Sequence, residues 1–258
     1  MTRFFGLVQT TIKMPIWAGE GTSPGKRAKM MTNILILGAN GRIARHLVDM
    51  LAGRADMSMT LFVRNARKLG RKLPDNAKVI EGDVLNAAIL KQAMKGQNVV
   101  YANLAGNVDA QATSIITAMQ EEGTKKLIFC TSLGIYGEVP GKFGDWNRRK
   151  IGAYLPPYRK AADLIEASGL DYVVLRPAWL TDADEVAFEV TEQDEPFKGT
   201  EVSRKSMASL VALLAGAPGP LGKRNIGINK PNTDADKPAL SVLVKPLGAL
   251  HNFIKKVA

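Results

Sequence analysis

The sequence predicts an α/β fold, a doubly wound parallel sheet of strand order 3-2-1-4-5-6 with a small C-terminal lobe beside its ligand-binding edge. Three observations carry that expectation. From Asn33 onward, short apolar runs alternate with longer helical patterns, the rhythm of strand–helix–strand crossovers. The first run passes directly into a glycine-containing turn that opens a helix. The 258 residues, at about 150 per domain, suffice for one core with appendages.

Taken in order, Asn33–Leu37 (NILIL) is continuous and β-branched, as a strand covered on both faces requires. Arg42–Ala52 places Ile43, Leu47, Met50 and Leu51 on one helical face, and Met59–Val63 and Lys78–Glu81 read as strands 2 and 3. Ala87–Met94 is a helix followed by Gly96, a residue suited to the left-handed turn after a helix. Asn98–Ala102 (NVVYA) is strand 4, Val108–Glu122 a helix stopped at Gly123, and Lys126–Cys130 (KLIFC) strand 5. The loop Gly137–Gly152, with Arg148, Arg149 and Lys150, reads as a mobile lid or a flexible surface loop. Pro157–Ala167 is a helix with proline at its start and Gly169 past its end. Tyr172–Leu175 is strand 6. Beyond Pro177 the pattern weakens, and about residues 178–235 are expected to cap the crevice. There, the acidic run Thr181–Glu195 reads as a solvated hairpin, and Ser206 as the N-cap of an apolar helix Met207–Leu214.

The ends differ from this body. Residues 1–31 carry five basic residues against one acidic one and a breaker cluster from Gly19 to Gly25. They are expected to be a disordered or loosely docked extension, with Met30 and Met31 as alternative starts. Residues 32–235 form the expected ligand-binding domain. Residues 236–258 form a basic amphipathic tail whose Leu247, Leu250, Ile254 and Val257 fall at helical spacing. Such a tail lies on a membrane surface or, more often, packs on its own domain or on a neighbouring subunit, so a homodimer is one expected assembly.

Composition narrows the chemistry. A single cysteine, Cys130, excludes a disulfide framework and a cysteine-based metal cluster, and two histidines are too few for most zinc sites. No metal is expected. No apolar run reaches the about 18 residues of a membrane span, so a soluble cytoplasmic protein is expected. The net charge is +11, yet no basic stripe with interleaved aromatics is visible, which favours a small anionic ligand over nucleic acid.

The ligand signal is Gly38-Ala39-Asn40-Gly41-Arg42-Ile43-Ala44, between strand 1 and its helix. Glycines at 38 and 41 allow a tight turn and let backbone N–H groups approach a pyrophosphate, while Ala44 permits close helix–strand packing. An acidic residue at the end of strand 2 would select NAD through the ribose 2′-hydroxyl. Here Arg64-Asn65-Ala66-Arg67 stands instead. Arg64 from one side and Arg42 from the other are expected to grip a 2′-phosphate, making NADP(H) the expected cofactor. Asp83-Val84 fits an adenine contact, or else Asp83 is an N-cap-like residue before the next helix. Asn103, Leu104 and Ala105 after strand 4 are expected along the nicotinamide ribose.

The segments GANGRIA, LFVRN, GDV, NLAG, TSLGIYG and YRKAADLIEASGLDYVVLRPAWLTD together resemble atypical short-chain dehydrogenase/reductases. The nearest branch is the NAD(P)H-binding group that includes NmrA-like regulators and biliverdin/flavin-reductase-like proteins. The resemblance covers about residues 33–230. It implies a Rossmann-type domain holding NADP through Gly38, Asn40, Gly41, Arg42, Ile43 and Arg64.

The resemblance also implies a catalytic set: a serine after strand 5, and a Tyr-x-x-x-Lys pair on the next helix that donates a proton and grips the ribose. Ser132 sits where the serine belongs, and Lys160 matches the lysine. Four residues before Lys160, however, stands Pro156, which donates nothing, and Tyr158 is two residues away, about 200° around the helix. Tyr136 swinging in from the loop, Tyr154 folding back, or an acceptor needing no protein donor are the three available repairs. Ser132 also reads as an end-of-strand cap and Lys160 as an exposed helix lysine. Trp179, after Arg176-Pro177-Ala178, is a pocket wall or a core residue. The resulting expectation is an NADPH-dependent oxidoreductase passing hydride to a small carbonyl, quinone or flavin-like acceptor, with Ser132, Tyr136 and Lys160 as catalytic candidates. The alternatives are a non-catalytic NADP(H)-sensing regulator and, on the SLGIYG segment, a nucleotide-sugar or steroid epimerase/dehydrogenase.

Overall fold

The computed structural model describes residues 31–70 and 72–239; the expected N-terminal extension up to residue 30 and the amphipathic face from Leu247 to Val257 lie outside them. Strands β1 (Thr32–Leu37), β2 (Met57–Val63) and β3 (Ala77–Glu81) alternate with helix α1 (Arg42–Leu51) and a 3-10 turn at Ala66–Leu69. Helix α2 (Ala87–Met94), β4 (Val99–Ala102), α3 (Val108–Glu122) and β5 (Lys126–Cys130) follow. Then come α4 (Gly141–Ile151), α5 (Leu155–Ala167) and β6 (Asp171–Pro177). The remainder holds β7 (Trp179–Thr181), β8 (Glu189–Thr191), β9 (Glu201–Ser203), α6 (Arg204–Gly216) and β10 (Arg224–Asn229).

The main sheet has the order β3-β2-β1-β4-β5-β6-β10-β8, so the predicted six-strand order stands at its centre. All neighbours from β3 to β10 are parallel, and only β8 runs antiparallel, with Ile228 opposite Val190. One face is covered by α1, α6 and α4, and the other by α2, α3 and α5. Burial on both faces explains why β1, β4 and β5 read as unbroken apolar runs.

Three expectations are corrected here. The loop Gly137–Gly152 is largely the helix α4. Its glycines masked a helical period: Phe143, Gly144 and Asn147 are buried, with Trp146 and Ile151 packed beside them. Gly144 is required there, because a Cβ would stand 2.0 Å from the Val139 carbonyl oxygen. The C-terminal lobe does not simply cap the crevice, since β10 and β8 extend the main sheet while β7 and β9 form a separate parallel pair. Finally, α6 begins at Arg204, and Ser203 is its cap, its Oγ accepting from the Ser206 N–H at 2.9 Å. Helix α5 starts at Leu155, with Pro156 and Pro157 in its first turn, where no N–H is needed for the helical ladder.

Candidate cofactor and substrate site

The turn after β1 is fixed by sterics. Gly38 has φ +82°, and a Cβ on it would stand 2.6 Å from the Asn103 carbonyl oxygen, so the loop lies pressed against the end of β4. Gly41 is the N-cap of α1 and supplies no side-chain cap. The first-turn N–H groups therefore stay free to meet an anion, reinforced by the positive end of the helix dipole.

A cavity of about 380 Å³ opens over this turn. The expected Gly38, Asn40, Gly41, Arg64, Asp83, Val84, Asn103, Leu104 and Ala105 all line it. Ile43, by contrast, is buried in the core beneath α1 and supports the loop from below. Asp83 uses one carboxylate oxygen to accept from the Leu85 N–H at 2.8 Å, and the cap of α2 is Asn86 instead.

The cationic end of this cavity differs from expectation in one partner. Arg64 is exposed at the rim, with Asn65 and Lys68 lining the cavity beside it. Arg42 does not join them. It pairs with Asp182, which also accepts from Arg204 at 2.9 Å. A residue the sequence reading overlooked, Arg45, ties the loop together: its guanidinium donates to the Asn40 Oδ1 at 2.6 Å and to the Lys68 carbonyl at 3.2 Å. The Glu81 carboxylate, the nearest acid on β3, accepts from the Ala66 N–H at 2.7 Å and braces the same turn.

A second cavity, of about 150 Å³, shares Asn103 and Leu104 with the first. Ser132, Leu133, Ile151, Tyr154, Tyr158 and Trp179 line it, with Cys130 among the remaining lining residues. Ser132 is thus where it was expected, its hydroxyl donating to the Leu133 carbonyl at 3.2 Å. The other two catalytic candidates are not there. Lys160 points away and pairs with Asp109 of α3 at 2.9 Å. The reason is helical phase: Tyr158, two residues earlier, faces the cavity, so Lys160 must lie about 200° away.

Tyr136 belongs to a different network. Its hydroxyl donates to Glu166 Oε1 at 2.6 Å and accepts from Asn225 Nδ2 at 2.7 Å, while the Arg159 guanidinium lies over its ring. Burial first, and then the Glu166 contact, push this phenol far above its usual range. Asn225 also accepts from the fully buried Arg176, which pairs with Glu138 at 2.5 Å. Glu138 in turn accepts from the Gly134 and Tyr136 N–H groups. This buried network clamps the loop that carries Ser132.

Tyr158 is the functional candidate that motif spacing concealed. Burial, with a smaller contribution from Cys130, raises its pKa to about 12, and burial raises the Cys130 thiol to about 12. The acidic run was expected as a solvated hairpin. Instead Asp182, Asp184, Glu185 and Glu192 pair with Arg42 and Arg204, Lys205, Lys230 and Arg224 respectively, and Glu189–Thr191 is β8. Trp179 does form a cavity wall, its indole N–H donating to Asn147 Oδ1 at 2.9 Å.

The NAD(P)H-binding family profile matches residues 38–218, from the glycine turn to just past α6. The chain belongs to the NAD(P)H-binding family. A Rossmann-fold NAD(P)-binding family protein from Shigella flexneri is 51% identical, with 81% of this chain matched to 98% of that one at a TM-score of 0.71. A short-chain dehydrogenase/reductase from Veillonella parvula, solved in complex with NADP, is 27% identical over 81% of this chain and all of that one, at a TM-score of 0.73. Isoflavone reductase homolog A622 of Nicotiana glauca is 26% identical over 166 residues, and the match spans about half of its length (51%). No helix among the described residues is long and apolar enough to cross a membrane.

Proposed function

We propose that the protein is an NADPH-dependent reductase acting on a small carbonyl, quinone or flavin-like acceptor. The observation that carries this reading is the junction at Asn103 and Leu104, where the cavity over the glycine turn meets an apolar pocket containing Ser132 and Tyr158. Within the first cavity, the uncapped α1 N-terminus and the bare Cα atoms of Gly38 and Gly41 suit a pyrophosphate. Arg64 and Lys68 suit a 2′-phosphate, and Asp83, Val84 and Ala105 suit the adenosine and ribose groups. When bound, the reduced cofactor supplies a hydride from its nicotinamide C4.

The chain's own residues then orient the acceptor and supply a proton. Ser132 offers a hydroxyl at the end of β5. Tyr158, with a pKa raised to about 12, stays a phenol at neutral pH and serves as a hydrogen-bond donor. With Lys160 turned to Asp109, no ammonium group assists formation of a phenolate. The pocket therefore supports proton donation during reduction better than proton removal from an alcohol. The reading places the work in a reducing, NADPH-supplied compartment, the cytoplasm.

A second reading, a non-catalytic NADP(H) sensor, draws on the position of Lys160 outside the pocket. Stopped-time assays of NADPH oxidation across quinones, flavins and aldehydes separate the two. Turnover that falls about 10²-fold in Tyr158→Phe with aldehydes, the usual scale for loss of a general acid, supports the reductase. Tight NADPH binding with no turnover across the panel supports the sensor.

A further inference from the structure

We propose that Trp179 is the residue that selects the acceptor, presenting its indole face as a fixed wall on which a flat conjugated ring stacks, and that Asn147 is its positioning residue. The inference rests on the reductase reading above and names the substrate class of that pocket: a planar aromatic or quinonoid ring in preference to an aliphatic carbonyl compound.

Three features fix the indole. Its N–H donates to Asn147 Oδ1 at 2.9 Å, and Asn147 is almost wholly buried at 1% exposure. Trp146 meets it edge-on, with centroids 4.7 Å apart and planes at 61°, and Phe143 stacks on Trp146 at 6.2 Å. Its backbone is pinned as well, since the Trp179 N–H donates to the Thr200 carbonyl at 3.1 Å and β7 pairs with β9.

Trp179, half-buried, also borders the cavity that Tyr158 and Ser132 line. An indole whose one donor already has a buried acceptor recognises a ligand through its π-face, and aromatic rings prefer offset or edge-on partners. The indole that fills a core has neighbours on every side, whereas this one is only partly buried and borders a cavity. The support is also built to be rigid. A Cβ on Gly134 would stand 2.8 Å from the Asn147 amide nitrogen, and one on Gly144 would collide with the Val139 carbonyl. Both glycines let α4 sit close enough for Asn147 to reach the indole.

The test uses the full chain saturated with NADP⁺, titrated with 1,4-naphthoquinone and followed by quenching of tryptophan fluorescence. In parallel, kcat and KM are measured with NADPH for the quinone and for butanal. Expected are a quench that survives Trp146→Phe but is lost in Trp179→Leu, and a quinone KM raised about tenfold in Trp179→Leu, with the butanal KM changed less than threefold. Trp179→Phe, which keeps a flat ring, restores the quinone KM to within threefold. Asn147→Leu raises the quinone KM with kcat little changed, whereas Asn147→Asp, which keeps the acceptor oxygen, restores it.

Equal losses with both acceptors, or a quench insensitive to Trp179, would overturn the stacking proposal while leaving the reductase reading standing. A quench lost in Trp179→Leu without turnover of either acceptor supports the stacking and removes the reductase reading instead. Absence of both quench and turnover overturns both.

Discussion

Replacing Arg64 by glutamate puts the cofactor assignment under the greatest strain. Arg64 stands exposed at the cavity rim beside Lys68 and Asn65, so its bond to a 2′-phosphate belongs at the low end for charge-assisted hydrogen bonds, about 1.5 kcal/mol. A carboxylate in its place repels the doubly charged phosphate by about 1.7 kcal/mol more, taking a separation of about 5 Å and a water-like dielectric. Together these weaken NADPH binding by about 200-fold, since about 1.4 kcal/mol is a factor of ten. The same carboxylate accepts from the free 2′-hydroxyl of NADH and gains about 0.5–1.5 kcal/mol there. The ratio of the two affinities should therefore swing by roughly 10³-fold. Fluorescence titrations with both reduced cofactors, at low salt and again at 0.5 M KCl, give that ratio directly. An unchanged preference would show that the rim arginine does not read the 2′ position, and the NADP assignment would go with it.

Four further outcomes follow from the geometry. Lys160→Met should leave kcat within about twofold, because its ammonium group sits on Asp109 rather than in the pocket; a loss of several orders of magnitude would return it to the mechanism. Tyr136→Phe should cost about 1–3 kcal/mol in urea unfolding by leaving Glu166 and Asn225 without their shared hydroxyl, with the turnover of the folded enzyme retained. Glu138→Leu should cost about 3–5 kcal/mol, the scale for leaving a fully buried partner such as Arg176 uncompensated. Raising the pH should destabilise the fold: Cys130 and Tyr158 titrate near 12 when folded but lower when unfolded. Their stabilisation is complete below the unfolded values and is lost as pH climbs through about 9 to 12. Thermal midpoints measured across that range should fall, and less steeply in Cys130→Ala.

The sequence was most legible where the chain obeys one local rule at a time. Buried parallel strands read as apolar runs, and the turn at Gly38 and Gly41 announced itself by position between strand and helix. The α4 region was unreadable because Gly141 and Gly144 look like breakers, although Gly144 is demanded by the Val139 contact. β10 was missed for a similar reason: its Gly227 weakens the strand signal, yet a Cβ there would meet the Phe197 ring at 2.6 Å. The Arg42–Asp182 pair was not legible because Asp182 lies 140 residues further along, and no local pattern reports such a pairing. Lys160 was chosen by motif spacing, whereas Tyr158 owes its place to the rotational phase of α5, which only packing against α3 and β6 fixes.

The most direct test of the account is a crystal structure of the full chain with NADPH. It should show the pyrophosphate on the N–H groups at the start of α1, the 2′-phosphate beside Arg64 and Lys68, and the nicotinamide at the Asn103–Leu104 junction facing Tyr158. Density for the dinucleotide with its nicotinamide turned away from that junction, or bound elsewhere on the sheet, would contradict the link between the two cavities on which the reductase assignment stands.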